Sequence, residues 1–199
     1  MKKAITITWL LVLFSGMACI FWYTDWKYSL PTPVPKQYHP VGTGTFVDLS
    51  GKLPISGDKP VFLHFFNPDC PCSRFNIPNF KSLVRKYGEK ISFAIVVLNN
   101  KNYTAKEIQD KFDIDVPVSF DSTIAAACGV YSTPQAVLLN ASRDLYYRGN
   151  YNKNRYCTDT RSNYAQMAID SLFGNVYRPA FASFALRAYG CQLPVCTQK

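Results

Sequence analysis

Runs of like charge are missing from this chain, and so are internal repeats and long low-complexity tracts. The first absence removes the arginine-rich or lysine-rich arm that grips nucleic acid, although 22 basic residues outnumber 13 acidic ones for a formal charge of +9. Lys2 and Lys3 precede an apolar N-terminus; the remainder, 20 basic against 13 acidic residues, spreads +7 over a mildly basic surface. No nucleic-acid partner is expected. Charged residues make up only 18% of the chain and apolar ones 48%, which excludes disorder and predicts one packed domain with attachments within 199 residues.

An A-x-A-like cleavage site is also lacking after the first apolar segment. Ala4 to Tyr23 are largely apolar and as a helix would cover about 30 Å, the thickness of a bilayer's hydrocarbon core. Trp22, Tyr23 and Trp26 form an interfacial aromatic belt. Cys19 after Ala18 resembles a lipoprotein site, but Gly16 stands where leucine is usual and the apolar run continues past it. We therefore read residues 1–24 as an uncleaved N-terminal membrane anchor, with an uncleaved signal as the rival. Lys2 and Lys3 place the N-terminus in the cytoplasm and everything after Asp25 outside. Disulfides persist there, and six cysteines follow the anchor: Cys70, Cys72, Cys128, Cys157, Cys191 and Cys196.

Pro31, Pro33, Pro35 and Pro40 make residues 25–44 an extended linker. Thr45 to Leu49 reads as a short first strand. Val61 to Phe66 and Ile91 to Leu98 are apolar throughout, as strands buried on both faces are. Between them, apolar residues at helical spacing from Phe75 to Tyr87 predict a helix stopped by Gly88 and kinked by Pro78. Thr104 with Glu107 three residues on is a capping box opening a helix to Phe112. A short strand at Val116 to Phe120, a short helix at Ser122 to Cys128, a hairpin across Asn140 to Arg143 and a helix from Ser162 to Phe173 complete the domain at 45–174. Residues 175–199 form a cysteine-bearing extension.

The chemistry concentrates in Val61 to Arg74, VFLHFFNPDCPCSR, where a strand runs directly into two thiols. Pro71 suits the first position of a helix, which makes Cys70 its N-cap, where unpaired N–H groups and the helix dipole favour a thiolate. Two buried structural cysteines are the plainer reading. His64 is either a proton carrier for the second thiol or a core histidine bonded to a neighbour.

This order of elements resembles the thioredoxin-like superfamily over about Phe46 to Gly174, specifically the membrane-anchored bacterial redoxins of the TlpA and ResA type. Phe65, Phe66, Cys70, Arg74 and Pro78 match their F-W-x-x-W-C-x-x-C-R-x-x-x-P; Gly129, Val130, Pro134, Leu138 and Asn140 match their later G-V-x-x-x-P-x-x-x-L-x-D. The resemblance implies an α/β, three-layer thioredoxin-like fold with a central mixed sheet, on a single-pass anchor in a bacterial inner membrane with the domain facing the periplasm. It also implies a cis Pro134 facing the site, with the Thr133 backbone offering a strand edge to a partner's disulfide. Ser73 replaces the family's second cysteine, Cys72 lies one residue earlier, and Asp69 replaces a tryptophan; that carboxylate should raise the pKa of Cys70. Peroxiredoxins fit worse, because Asn67 stands at their threonine. Less characterised bacterial redoxin-like domains share C-P-C-S, a cysteine before the last helix, here Cys157, and a G-C pair, here Gly190-Cys191.

Helical residues two apart diverge by about 200°, so Cys70 and Cys72 bond only if the first turn is irregular. Otherwise Cys72 pairs with Cys128 or a partner protein. The reading is extracytoplasmic thiol–disulfide exchange with protein partners: Cys70 as nucleophile, Cys72 resolving, His64 moving the proton, and Thr133 and Pro134 binding substrate. Cys157 is expected to pair with Cys191 or Cys196. No cofactor or resident metal is called for, and the chain is expected to act as a monomer. Two alternatives are a Cu(I)-delivery module using Cys70 and Cys72, which soft thiolates permit, and a non-catalytic interaction domain.

Overall fold

The computed structural model describes residues 2–55, 57–99, 101–174 and 181–193. The chain divides into two compact units, Met1–Pro31 and Thr32–Lys199. The first is helix α1, Lys2–Ser29, which runs five residues past the expected end of the anchor at 24. Its stretch Lys2–Tyr23, 22 residues with a mean hydropathy of 2.2, is long and apolar enough to cross a membrane, as are the helices of secretion signals. The hydroxyls of Thr6 and Thr8 donate to the carbonyls of Lys2 and Ala4 at 3.1 and 3.0 Å, which satisfies them without water. Trp22 and Trp26 stack at 5.8 Å.

The second unit is built on a five-stranded mixed sheet. Strand β1, Val61–Phe66, ends in the helix α2, Pro71–Tyr87; β2, Ser92–Val97, follows, then α3, Ala105–Phe112, β3, Val118–Ser119, and α4, Thr123–Cys128. Strand β4, Ser132–Thr133, precedes the hairpin of β5, Gln135–Leu139, and β6, Leu145–Gly149. Helix α5, Tyr164–Phe173, closes the domain, and α6, Ser183–Leu186, and β7, Cys191–Gln192, belong to the C-terminal extension. The sheet order is β3-β2-β1-β5-β6, with β1, β2 and β3 parallel and β5 and β6 antiparallel to their neighbours. With helices on both faces this is the thioredoxin-like fold.

Strand β1 is buried at all six positions, and its pleat divides two cores. Phe62 and Phe66 pack with Phe80, Leu83, Ala165 and Ile169 of α2 and α5. Val61, Leu63 and Phe65 pack on the other face with Val47, Ile124, Ala125 and Cys128. The expected capping box is present: Thr104 Oγ1 accepts from the Glu107 amide at 3.2 Å, and the Glu107 carboxylate accepts from the Thr104 amide at 2.7 Å. Gly129 ends α4 with φ 67, a left-handed conformation that a side chain would strain.

Two boundaries differ from expectation. Thr45 to Leu49 form no strand; Phe46 makes a single antiparallel bridge to Asp144, while Val47 and Leu49 are buried as a packed loop. The proline-rich segment is no free spacer either. Thr32 is buried and its amide donates to the Ala188 carbonyl at 2.8 Å, while the Tyr38 hydroxyl donates to the Gly129 carbonyl at 3.0 Å. Thr32 and Tyr38 thus pin the segment while Pro33, Pro35 and Pro40 stay exposed, which composition alone does not show.

Candidate functional site

The site is assembled where β1 enters α2. Cys70 is the N-cap of α2 in an extended conformation, φ −84 and ψ 121, with Pro71 following inside the first turn and no acidic residue in that turn. The Cys70 amide donates to the Asn67 carbonyl at 3.1 Å, closing a turn that lifts the cysteine off the strand. Ser73, buried where the redoxins carry their second cysteine, uses its hydroxyl to accept from the Asn67 amide at 3.2 Å. Ser73 thus fixes the loop that aims Cys70.

Cys70 is disulfide-bonded to Cys191, with 6.5 Å between their Cα atoms and 121 residues between them in sequence. Cys191 is therefore not available to Cys157, for which it was one of two expected partners, and the Cys70–Cys72 bond that an irregular first turn would have allowed is not made. Cys72, Cys128 and Cys157 are free thiols, and Cys196 lies outside the described residues. The sulfurs of Cys70, Cys72 and Cys191 all lie within 4.8 Å of one another, so Cys72 sits beside the bond without taking part in it. Desolvation raises the pKa of the Cys72 thiol, with Arg155 opposing, and Cys72 is neutral at rest. Burial pushes the thiols of Cys128 and Cys157 up to about 12. Cys157 donates to Asn76 Oδ1 at 2.9 Å, and the Asn76 amide donates to the Cys72 carbonyl at 2.9 Å, a structural use of a cysteine that sequence marked for a disulfide.

Pro134 follows a cis peptide bond, as expected. The strand edge at Thr133 is filled by the chain itself: β7 runs antiparallel to β4, with Cys191 opposite Thr133 and Gln192 opposite Ser132. Thr32 Oγ1 and Ser132 Oγ share a hydrogen bond at 2.9 Å, and whichever hydroxyl accepts in it donates to its carbonyl in β7's segment, Thr32 to Gly190 or Ser132 to Cys191, each at 3.2 Å. The root of the extension is held separately. Asn150 Nδ2 donates to the carbonyls of Phe184 and Arg187, both at 2.6 Å.

Asp69 does not act on Cys70 as a bare charge. Its carboxylate accepts from Asn99 Nδ2 at 2.9 Å and from the Tyr103 hydroxyl at 3.1 Å, and it pairs with Lys101 at 3.0 Å. The Asn99 bond foremost, then Lys101, hold its carboxyl below the usual carboxylate range.

His64 is fully buried, its ring stacked on Phe80 at 4.7 Å. Its Nδ1 bonds the Tyr151 hydroxyl at 2.7 Å, and its Nε2 has no hydrogen-bond partner among the described residues. Among the described residues no hydrogen bond joins it to a thiol, and desolvation lowers its pKa to about 3. The structure gives the imidazole the core position rather than the proton-carrying one. The chain gains no stability from charging it. Below pH 6.5 the unfolded chain takes up a proton that the folded one refuses until about pH 3. Stability is therefore full above the unfolded value and falls by up to about 1.4 kcal/mol per pH unit in that window. Urea unfolding from neutral pH to about 4 is expected to show this slope, and His64→Phe to flatten it; an equal slope in both would contradict the neutral assignment. Tyr151→Phe strips the ring of its remaining partner and is expected to cost about 1–3 kcal/mol in the same assay.

A family model described as a domain of unknown function, DUF6436, matches residues 45–194. No curated protein matches the chain. Among solved structures, a hypothetical protein from Sinorhizobium meliloti 1021 is 16% identical over 80% of this chain and 97% of its own, with a TM-score of 0.64. An uncharacterized conserved protein from Geobacillus kaustophilus is 16% identical over 84% of this chain and 100% of its own, with a TM-score of 0.62. The thioredoxin domain of a thiol-disulfide oxidoreductase from Bacteroides vulgatus is 12% identical over 60% of this chain and 96% of its own, at a TM-score of 0.48. At these identities the likeness is one of fold.

Proposed function

The chain belongs to the DUF6436 family, and we propose that it exchanges thiols and disulfides with protein partners outside the cytoplasm, through Cys70 and Cys191. The observation that carries this reading is the bridge between a helix N-cap cysteine and a cysteine on the edge strand beside a cis proline. A buried bond at such a place has an uneven accessibility. Cys70 is 3% exposed, whereas Cys191 is partly exposed. A dithiol reductant attacks the Cys191 sulfur, and Cys70 leaves as a thiolate stabilised at the N-terminus of α2. The reductant's second thiol then frees Cys191. The Cys70 thiolate next attacks a partner's disulfide and forms a mixed disulfide while the partner's other sulfur takes a proton. Cys191 attacks Cys70 in turn, restoring the bridge and releasing the partner reduced. Two electrons pass from reductant to partner, and the reverse sequence oxidises a partner.

Helix α1 serves as the anchor in this reading, with Lys2 and Lys3 on the cytoplasmic side. Equilibration of the protein with glutathione buffers tests the exchange: one two-electron transition is expected, and it should vanish in Cys191→Ser. A transition that survives would assign the redox couple to other cysteines.

The cluster of three sulfurs favours a second reading. Once the bridge is reduced, Cys70, Cys72 and Cys191 present three soft ligands within 4.8 Å of one another, a donor set suited to Cu(I). One equivalent of Cu(I) bound by the reduced protein and lost in Cys72→Ser would support it, and no binding would remove it.

A further inference from the structure

We propose that Gly190–Gln192 occupies, in the oxidised chain, the seat of the protein partner, and that this seat selects an extended segment with glycine immediately before its cysteine. The inference rests on the thiol-exchange reading of Cys70 and names the partner that site takes. Strand β7 is only two residues long, and it does what a partner in mixed disulfide must do. It pairs antiparallel with β4, sets Cys191 opposite Thr133, and bonds its sulfur to Cys70. The seat has a defined tolerance at the preceding position. A Cβ placed on Gly190 would run into the Thr133 carbonyl oxygen and lie 3.1 Å from Ser132 Oγ. Both obstacles stay in place when the tip leaves, since Ser132 and Thr133 are fully buried and Ser132 Oγ is bonded to Thr32. Any segment taking the same register and the same backbone course, with φ +159 at this position, meets the same wall.

The way the extension is fastened permits exchange of occupants. Asn150 clamps the carbonyls of Phe184 and Arg187, and Thr32 holds Ala188, so the root stays in place when the disulfide opens. The tip alone has to leave the edge of β4. It remains tethered close by, at the high effective concentration of a short linker, and displaces the partner when the reaction is done.

The test uses the full chain carrying Cys191→Ser, reduced, with two synthetic peptides. One has the sequence of residues 188–193, Ala-Tyr-Gly-Cys-Gln-Leu, and the other has valine in place of glycine. Each carries thionitrobenzoate in a mixed disulfide at its cysteine. The Cys70 thiolate attacks the peptide sulfur, a protein–peptide disulfide forms, and thionitrobenzoate leaves as a coloured anion. With rates normalised to each peptide's reaction with free cysteine, the valine peptide is expected to be slower by roughly tenfold or more, because backbone offers no room to relax. Equal rates would overturn the proposal while leaving thiol exchange at Cys70 standing. No reaction with either peptide or with Ellman's reagent would instead remove the exchange reading itself. The intact chain gives an independent arm: Gly190→Val is expected to leave Cys70 and Cys191 open to alkylation where the wild type is bridged, and a retained bridge would count against the proposal.

Discussion

Replacing Cys70 with serine is expected to reduce catalysed disulfide exchange, measured as dithiothreitol-driven insulin reduction, to the uncatalysed rate. The effect is the largest one anticipated, because every step proposed passes through this sulfur. Compared with the reduced wild type, which also lacks the bridge, the variant should keep or gain local stability while losing chemistry, since serine is a good helix cap. That combination separates a reacting thiol from a structural one. A purely structural bridge would leave no catalysed rate to lose, and its removal would show only as the lower stability that loss of any cross-link brings. Unchanged activity in a folded Cys70→Ser protein would eliminate the assignment.

Cys191→Ser is expected to act differently. It leaves the Cys70 thiolate able to attack but removes the thiol that returns from the tethered extension. Tethering at millimolar effective concentration is worth on the order of 10², so turnover should fall by about that factor while mixed disulfides between Cys70 and partners accumulate. Mass spectrometry of the trapped species checks this. Cys72 supplies the control: its sulfur is within 4.8 Å of Cys70, yet burial keeps it protonated. Cys72→Ser should leave turnover within a few-fold of the wild type, since thiol exchange scales with the thiolate fraction. If mixed disulfides accumulate in Cys72→Ser and not in Cys191→Ser, the resolving role moves to Cys72.

Local chemistry in the sequence foretold much of this fold. The unbroken apolar run of Val61 to Phe66 is a strand buried on both faces, Pro71 opens α2 behind Cys70, and Thr104 with Glu107 caps α3. The cis bond before Pro134 followed from resemblance. The pairing of Cys70 was not legible, because it depends on contacts between segments 121 residues apart. Strands β4 and β7 are two residues each, too short for a periodicity, and the extension is held by scattered hydrogen bonds from Asn150, Thr32 and Ser132. Gly190 beside Cys191 was the one available signal, and its meaning needs the Thr133 carbonyl it abuts. His64 was undecidable for a similar reason: the spacing from Cys70 allowed a proton carrier, and the Tyr151 hydroxyl that fixes it in the core lies 87 residues away.

The Val61 to Arg74 stretch thus carries half of the site, and the chain's last described strand carries the other half. Disulfide mapping tests that division most directly. Purified protein, alkylated without reduction and digested, is expected to yield a linked peptide pair containing Cys70 and Cys191, with Cys72, Cys128 and Cys157 recovered as alkylated thiols. A peptide bridging Cys70 to Cys72, or Cys157 to Cys191, with Cys70 and Cys191 unlinked, would contradict the account.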